Sequence, residues 1–105
     1  MSLYNMYYQN GVVIVPNVIV KGDEASVSYK GVLSNSGADS IYMRVGYGDN
    51  WENTKDIKME KTTDGFKADL AVADDKLLKL AFKDSASNWD NNSGRNYTFE
   101  VQARL

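Results

Sequence analysis

The 105-residue sequence contains no cysteine and no histidine. Without cysteine there is no disulfide, no thiolate nucleophile and no cysteine-ligated zinc. Without histidine there is no Ser-His-Asp triad, no imidazole ligand for a metal and no side chain that titrates near neutrality as a general base. Acid–base chemistry is left to carboxylates, lysines and tyrosines, a poor start for an enzyme. An excess of basic residues is missing too. Twelve Lys and Arg against fourteen Asp and Glu give a net charge of −2, unlike the basic footprint of a protein that binds nucleic acid or an anionic membrane. Neither is an expected partner. Proline occurs once, at Pro16, where it ends the apolar run Val12 to Val15, which no other run exceeds. That run is far short of the roughly 18 to 20 apolar residues of a membrane-spanning helix.

What remains is ordinary globular composition, with 43% hydrophobic and 25% charged residues, enough for the single modest core that a chain of this length can bury. Met1-Ser2-Leu3 has neither the charged start nor the apolar stretch of a signal peptide. It reads as an expression leader, which leaves residues 4–105 as one module taken from a longer protein.

Strict alternation dominates the chain and predicts strands. Ile41, Met43, Val45 and Tyr47 share one face, with Tyr42 and Arg44 on the other and Gly46 beside them. Phe66, Ala68, Leu70 and Val72 repeat the pattern, as do Leu78, Leu80 and Phe82, and Tyr97, Phe99, Val101 and Ala103. Val27 with Tyr29, and Ile57 with Met59, give shorter examples. Turn residues fall between the runs at Asn10-Gly11, Lys21-Gly22-Asp23, Ser36-Gly37, Asp64-Gly65 and Ser93-Gly94. Asp64-Gly65 predicts a tight hairpin joining the Ile57 and Phe66 strands. About seven short strands at spacings of roughly 8 to 14 residues predict an antiparallel β-sandwich of the immunoglobulin-like kind, with a small barrel as the alternative.

Tyr29, Phe66, Phe82, Tyr97 and Phe99 sit on the alternating core faces, where packing explains them. Trp51 and Trp89 do not. Trp51 lies in Gly48-Asp49-Asn50-Trp51-Glu52-Asn53, and Trp89 in Asn88-Trp89-Asp90-Asn91-Asn92-Ser93-Gly94. Segments so polar run over the surface, so each indole either folds back as a plug or stands exposed. Exposed apolar area marks a partner. A sugar offers an apolar C–H face for a ring and a rim of hydroxyls for amides and carboxylates, so this combination suits carbohydrate.

The order Ile41-Tyr42-Met43-Arg44-Val45-Gly46-Tyr47-Gly48, Trp51, Met59, Asp64-Gly65-Phe66, Leu80-Ala81-Phe82-Lys83-Asp84 and Trp89-Asp90-Asn91-Asn92-Ser93-Gly94-Arg95-Asn96-Tyr97 resembles the starch-binding carbohydrate-binding modules of family 25. A related plant starch-synthase module family is similar. The resemblance covers about residues 12–103. It implies a non-catalytic, monomeric β-sandwich that needs no cofactor, binds starch or maltooligosaccharides, and is covalently linked to an amylase-type catalytic domain in a secreted or cell-surface bacterial protein. It implies a sugar platform of Trp51 and Trp89. Where family members often carry a histidine this chain has Arg44, and Tyr42 on the same face is the alternative third element. Asp90, Asn91, Asn92 and Lys83 are the expected polar rim, although the Asn91-Asn92 pair fits a self-bonded turn equally well.

Two other readings compete. A protein-interaction sandwich of the immunoglobulin or fibronectin kind would also display loop aromatics. A small glycosidase would use two carboxylates, with Asp84 and Asp90 as the candidates, on a domain too small to enclose a cleft. Asp49, Asp84 and Asp90 could line a calcium site, but none has an EF-hand spacing, so no metal is expected.

Overall fold

A computed structural model of the chain describes residues 7–103; the expected leader, Met1 to Leu3, lies outside them. The alternating runs become strands, and in the central ones the alternating apolar positions turn inward. In β4 (Ile41–Tyr47), Ile41, Met43, Val45 and Tyr47 are buried, while Tyr42 and Arg44 are half-exposed. In β7 (Gly65–Ala71), Phe66, Ala68 and Leu70 are buried between exposed Lys67, Asp69 and Ala71. A slip of one residue would turn every apolar side chain outward, so burial sets the register.

Two antiparallel sheets result. The first has the order β1 (Val12–Val15), β3 (Glu24–Tyr29), β7, β6 (Glu60–Thr62). In the second, β5 (Glu52–Lys58) pairs with β4 and β4 with β8 (Leu78–Asp84). The far edge of β8 takes two partners in succession: β10 (Tyr97–Phe99) opposite Leu78 to Leu80, and β9 (Trp89–Asp90) opposite Phe82 and Lys83. A short parallel pair, β2 (Ile19–Val20) with β11 (Val101–Gln102), lies outside both sheets. One cluster of buried side chains draws on both sheets. The Tyr29 and Phe82 rings stack across it, 4.2 Å between centroids and 21° between planes. This is the β-sandwich that the alternation predicts.

The segmentation is finer than the seven expected strands. The Ile57–Met59 run divides because Met59 is buried and its N–H donates to the Ile41 carbonyl at 2.9 Å; the chain crosses there from one sheet to the other. The expected hairpin then joins β6 to β7. The run from Tyr97 breaks in the same way at Glu100, so Val101 is only half-buried and Ala103 is exposed. A single helical turn, α1 (Val32–Asn35), escapes sequence reading because four residues carry no periodicity. Among the described residues no helix is long and apolar enough to cross a membrane.

Asp90, expected in the polar rim, lies beneath the surface. It is buried, only 9% exposed. Its two carboxylate oxygens accept from the hydroxyls of Tyr29 at 2.6 Å and Tyr97 at 2.7 Å, and the Asn92 N–H approaches at 3.4 Å. A carboxylate engaged this way belongs to the scaffold. Asp84 is committed too: it accepts from the N–H groups of Ala86 and Asn88 and from Asn88 Nδ2, each at 2.9 Å. These bonds fold the turn that delivers Trp89. Among the described residues no three acidic side chains gather to hold a metal ion.

Burial, and then the hydrogen bond to the Asp90 carboxylate, push the Tyr29 and Tyr97 phenols well above the ordinary tyrosine value of 10.0. Both stay protonated in the fold at a pH where the unfolded chain has begun to ionise. Their contribution is therefore complete below pH 10 and declines as pH rises beyond it. Urea unfolding midpoints should fall above pH 10, and phenolate absorbance should show at least two tyrosines ionising only on unfolding. Asp90→Ala strands two buried hydroxyls and should cost about 3 kcal/mol by urea denaturation. The Asn88 amide, followed by backbone N–H groups, lowers the Asp84 carboxyl below its ordinary 3.8. Its support is present above pH 3.8 and is lost as pH falls further. Acidification to pH 3 should loosen this turn, read as faster amide exchange at Ala86 and Asn88, and Asp84→Ala should do the same at neutral pH.

Candidate functional site

The outward face of the second sheet carries the site. Arg44 on β4 stands opposite Asp56 of β5 on one side and Ala81 of β8 on the other. One pair along, Tyr42 stands opposite Lys58 and Lys83, and Lys83 opposite Trp89. Ala81 points outward yet is 3% exposed, because its neighbours rise around a methyl group too small to reach solvent.

The two tryptophans arrive from opposite ends. Trp51 closes the turn Gly48 to Trp51, its N–H donating to the Gly48 carbonyl at 3.2 Å, and Gly48 N–H ties the turn to the Leu77 carbonyl at 2.8 Å. Trp51 itself takes φ 53, a left-handed conformation that costs a bulky residue on the order of 1 kcal/mol. The Thr54 hydroxyl donates to its carbonyl. Trp89 sits on a strand of two residues, where the sequence predicts a loop. Alternation within β9 sends Asp90 into the core and Trp89 outward, 44% exposed.

Between the rings lies a groove of about 470 Å³ lined by Arg44, Trp51, Thr54, Ala81, Trp89, Asn91 and Asn96. Three of the sequence-predicted platform residues, Trp51, Trp89 and Arg44, thus meet around one concavity with Asn91. Lys83 reaches them indirectly, with its ammonium 5.4 Å from the Trp89 ring centroid. Asp56 lies 3.7 Å from both the Arg44 guanidinium and the Lys83 ammonium. These half-exposed pairs contribute little to stability, but they hold both cations beside the groove.

Other predicted residues fall elsewhere. Tyr42 is displaced from the groove by one residue pair. Asn92 faces a separate polar cleft with Asn10, Lys30 and Asn35, and its Nδ2 donates to the Asn96 carbonyl at 3.1 Å. Asn91 lines the groove while its Oδ1 accepts from Gly94 N–H at 2.9 Å. The loop's composition follows from its backbone: Asn92, Ser93, Gly94 and Asn96 all have positive φ, which Asn and Gly tolerate best. Much of the polarity that suggests a sugar rim is therefore conformational. Sequence reading missed Ala81 as the floor and Asn96 and Thr54 as walls. It also missed Gly46, although a glycine inside an alternating strand is itself a signal of close approach.

The sequence profile of the starch/carbohydrate-binding module family 53 matches residues 25–82, more than half of the chain. The matched segment includes Arg44, Trp51 and Ala81 but stops short of Trp89. An alpha-amylase of Clostridium acetobutylicum (strain ATCC 824) is 33% identical over 85 residues, covering 79% of this chain and 11% of the amylase. The chain thus spans about a tenth of that relative's length. No solved structure matches significantly. These similarities support a starch-binding module without singling out family 25, whose motif order the sequence resembles. By the match over its β3 to β8 segment, the chain belongs to the starch/carbohydrate-binding modules of family 53.

Proposed function

We propose that the groove between Trp51 and Trp89 binds α-1,4-glucan, in starch or as maltooligosaccharides, through the two-tryptophan platform that the family 25 resemblance implies. The observation that carries this reading is the meeting of two indoles, a guanidinium and two amides around one open concavity with a methyl floor. The indoles offer flat apolar surface to the C–H faces of sugar rings, and Arg44, Asn91 and Asn96 stand where ring hydroxyls would need partners. A concave arrangement suits the curved α-1,4 chain better than a flat one. Arg44 takes the third position in preference to Tyr42, since it lines the groove. Lys83 acts by backing Trp89, and Asp90 by anchoring it from beneath.

A few stacked rings and exposed hydrogen bonds, less the cost of ordering the glucan, correspond to about −5 to −6 kcal/mol, a Kd near 0.1 mM. So weak a site works by keeping something else near the polymer. We infer an amylase-type catalytic domain on the same polypeptide, in a secreted bacterial protein. The alpha-amylase of C. acetobutylicum, similar over a tenth of its length, supports this.

Intrinsic tryptophan fluorescence during titration with maltoheptaose, and with cellohexaose as control, tests the reading. A saturable change with the α-glucan alone is the expected result. No response to either sugar by natively folded protein would overturn it in favour of a protein-facing aromatic patch. Trp89→Ala and Trp51→Ala should each weaken binding by about 2 kcal/mol or more, with circular dichroism unchanged. Arg44→Ala should cost about 1 kcal/mol, on the scale of a charged hydrogen bond to solvent-exposed ligand.

A further inference from the structure

Gly46 interrupts the outward face of β4, next along that face from Arg44. Built onto its backbone, a Cβ would lie 2.2 Å from Cε3, 2.8 Å from Cδ2 and 3.1 Å from Cζ3 of Trp51. All three are atoms of the six-membered ring of the indole. The three nearest atoms all belong to this one ring, so Trp51 is what an added side chain would meet first. Gly46 does not owe its identity to a left-handed backbone, since it is absent from the positive-φ glycines. It is buried because the indole covers it.

We propose that Gly46 is the positioning residue of the groove: the missing side chain in β4 is the seat that brings the Trp51 ring down against the sheet, beside Arg44 and level with the Ala81 floor. Trp51 enters from a turn whose left-handed φ aims the indole back over β4, and the seat captures it there. A methyl group on Gly46 cannot coexist with the ring in this pose, so the indole lifts and the groove loses one wall. The consequence for affinity rests on the α-glucan reading above; the seating does not.

A double-mutant cycle separates the two. Gly46→Ala in the otherwise unaltered protein should lower the melting temperature by about 5 °C. In a Trp51→Ala background the same change should leave it level or raise it, because alanine is favoured over glycine in a strand once the obstacle is gone. With Trp89→Phe also present, Trp51 is the sole indole, and Gly46→Ala should shift its emission to the red. Maltoheptaose affinity of Gly46→Ala should fall roughly tenfold, the scale expected when a supporting residue lets a site loosen by an ångström or so. Equal melting shifts in both backgrounds, or unchanged Trp51 emission, would overturn the seating. So would failure of Gly46→Ala to fold even with Trp51→Ala, which would mean that the backbone itself needs the glycine. Folding only in the Trp51→Ala background supports it. Unchanged affinity alongside a displaced indole would overturn the role in binding. If the unaltered protein binds no maltoheptaose, the functional reading fails while melting and emission still decide the seat.

Discussion

The carboxylate of Asp90 is held by two tyrosine hydroxyls, one from each sheet, and the rest of the grooved face depends on that contact. Burying a charge is costly unless its hydrogen bonds are restored, and here Tyr29 from β3 and Tyr97 from β10 restore them at 2.6 and 2.7 Å. Tyr29 also accepts from the Leu33 N–H at 3.2 Å, so α1 is tied to the same point. The Tyr29 ring stacks on Phe82, and Phe82 in turn meets the Tyr97 ring at 5.7 Å. Polar and apolar contacts converge on one place, where both sheets, the helical turn and the loop after β9 are joined. With Asp90 turned inward, the preceding residue of an extended pair must turn outward. The exposure of Trp89 is thus a consequence of the core.

The same logic organises the opposite wall. Trp51 is held by a turn at one end and by the gap above Gly46 at the other, and Trp89 by Asp90 beneath and Lys83 beside it. Both loops spend unfavourable backbone conformations on this: positive φ at Trp51 and Asn53 in one, and at Ser87, Asn92, Ser93 and Asn96 in the other. Such positions persist where the surroundings over-determine them. The side-chain bonds of Asp84, Asn91 and Asn92 are part of that surrounding. A groove whose walls are set in advance does not spend a weak ligand's binding energy on ordering loops.

The two-sheet architecture was largely legible because alternation is a direct record of burial. The inward positions of β3, β4, β7 and β8 follow the pattern residue for residue. It failed at Met59 and Glu100, where the chain changes sheets without breaking the period, and at α1, which is too short to have one. The candidate site was legible in part. Trp51, Trp89 and Arg44 stood out by type and context, but Asp90 and Asn92 did not separate from Asn91, because a polar residue next to a tryptophan reads alike whether it faces solvent or core. Ala81, with almost no side chain, could not be read as the floor of a groove at all: its contribution is space.

The sequence by itself determined that this is a small β-sandwich without cysteine or histidine, and that two aromatic rings are set outside its core pattern. Those conclusions need only composition and a period of two, both local properties of the chain. Tertiary structure alone decided that the two rings and Arg44 line one groove, and that Asp90 works from below. The reason is physical. Residues from β4, from the turn before β5, from β8, from β9 and from the loop after it become neighbours only when strand pairing brings them to one face, and no local pattern records that meeting.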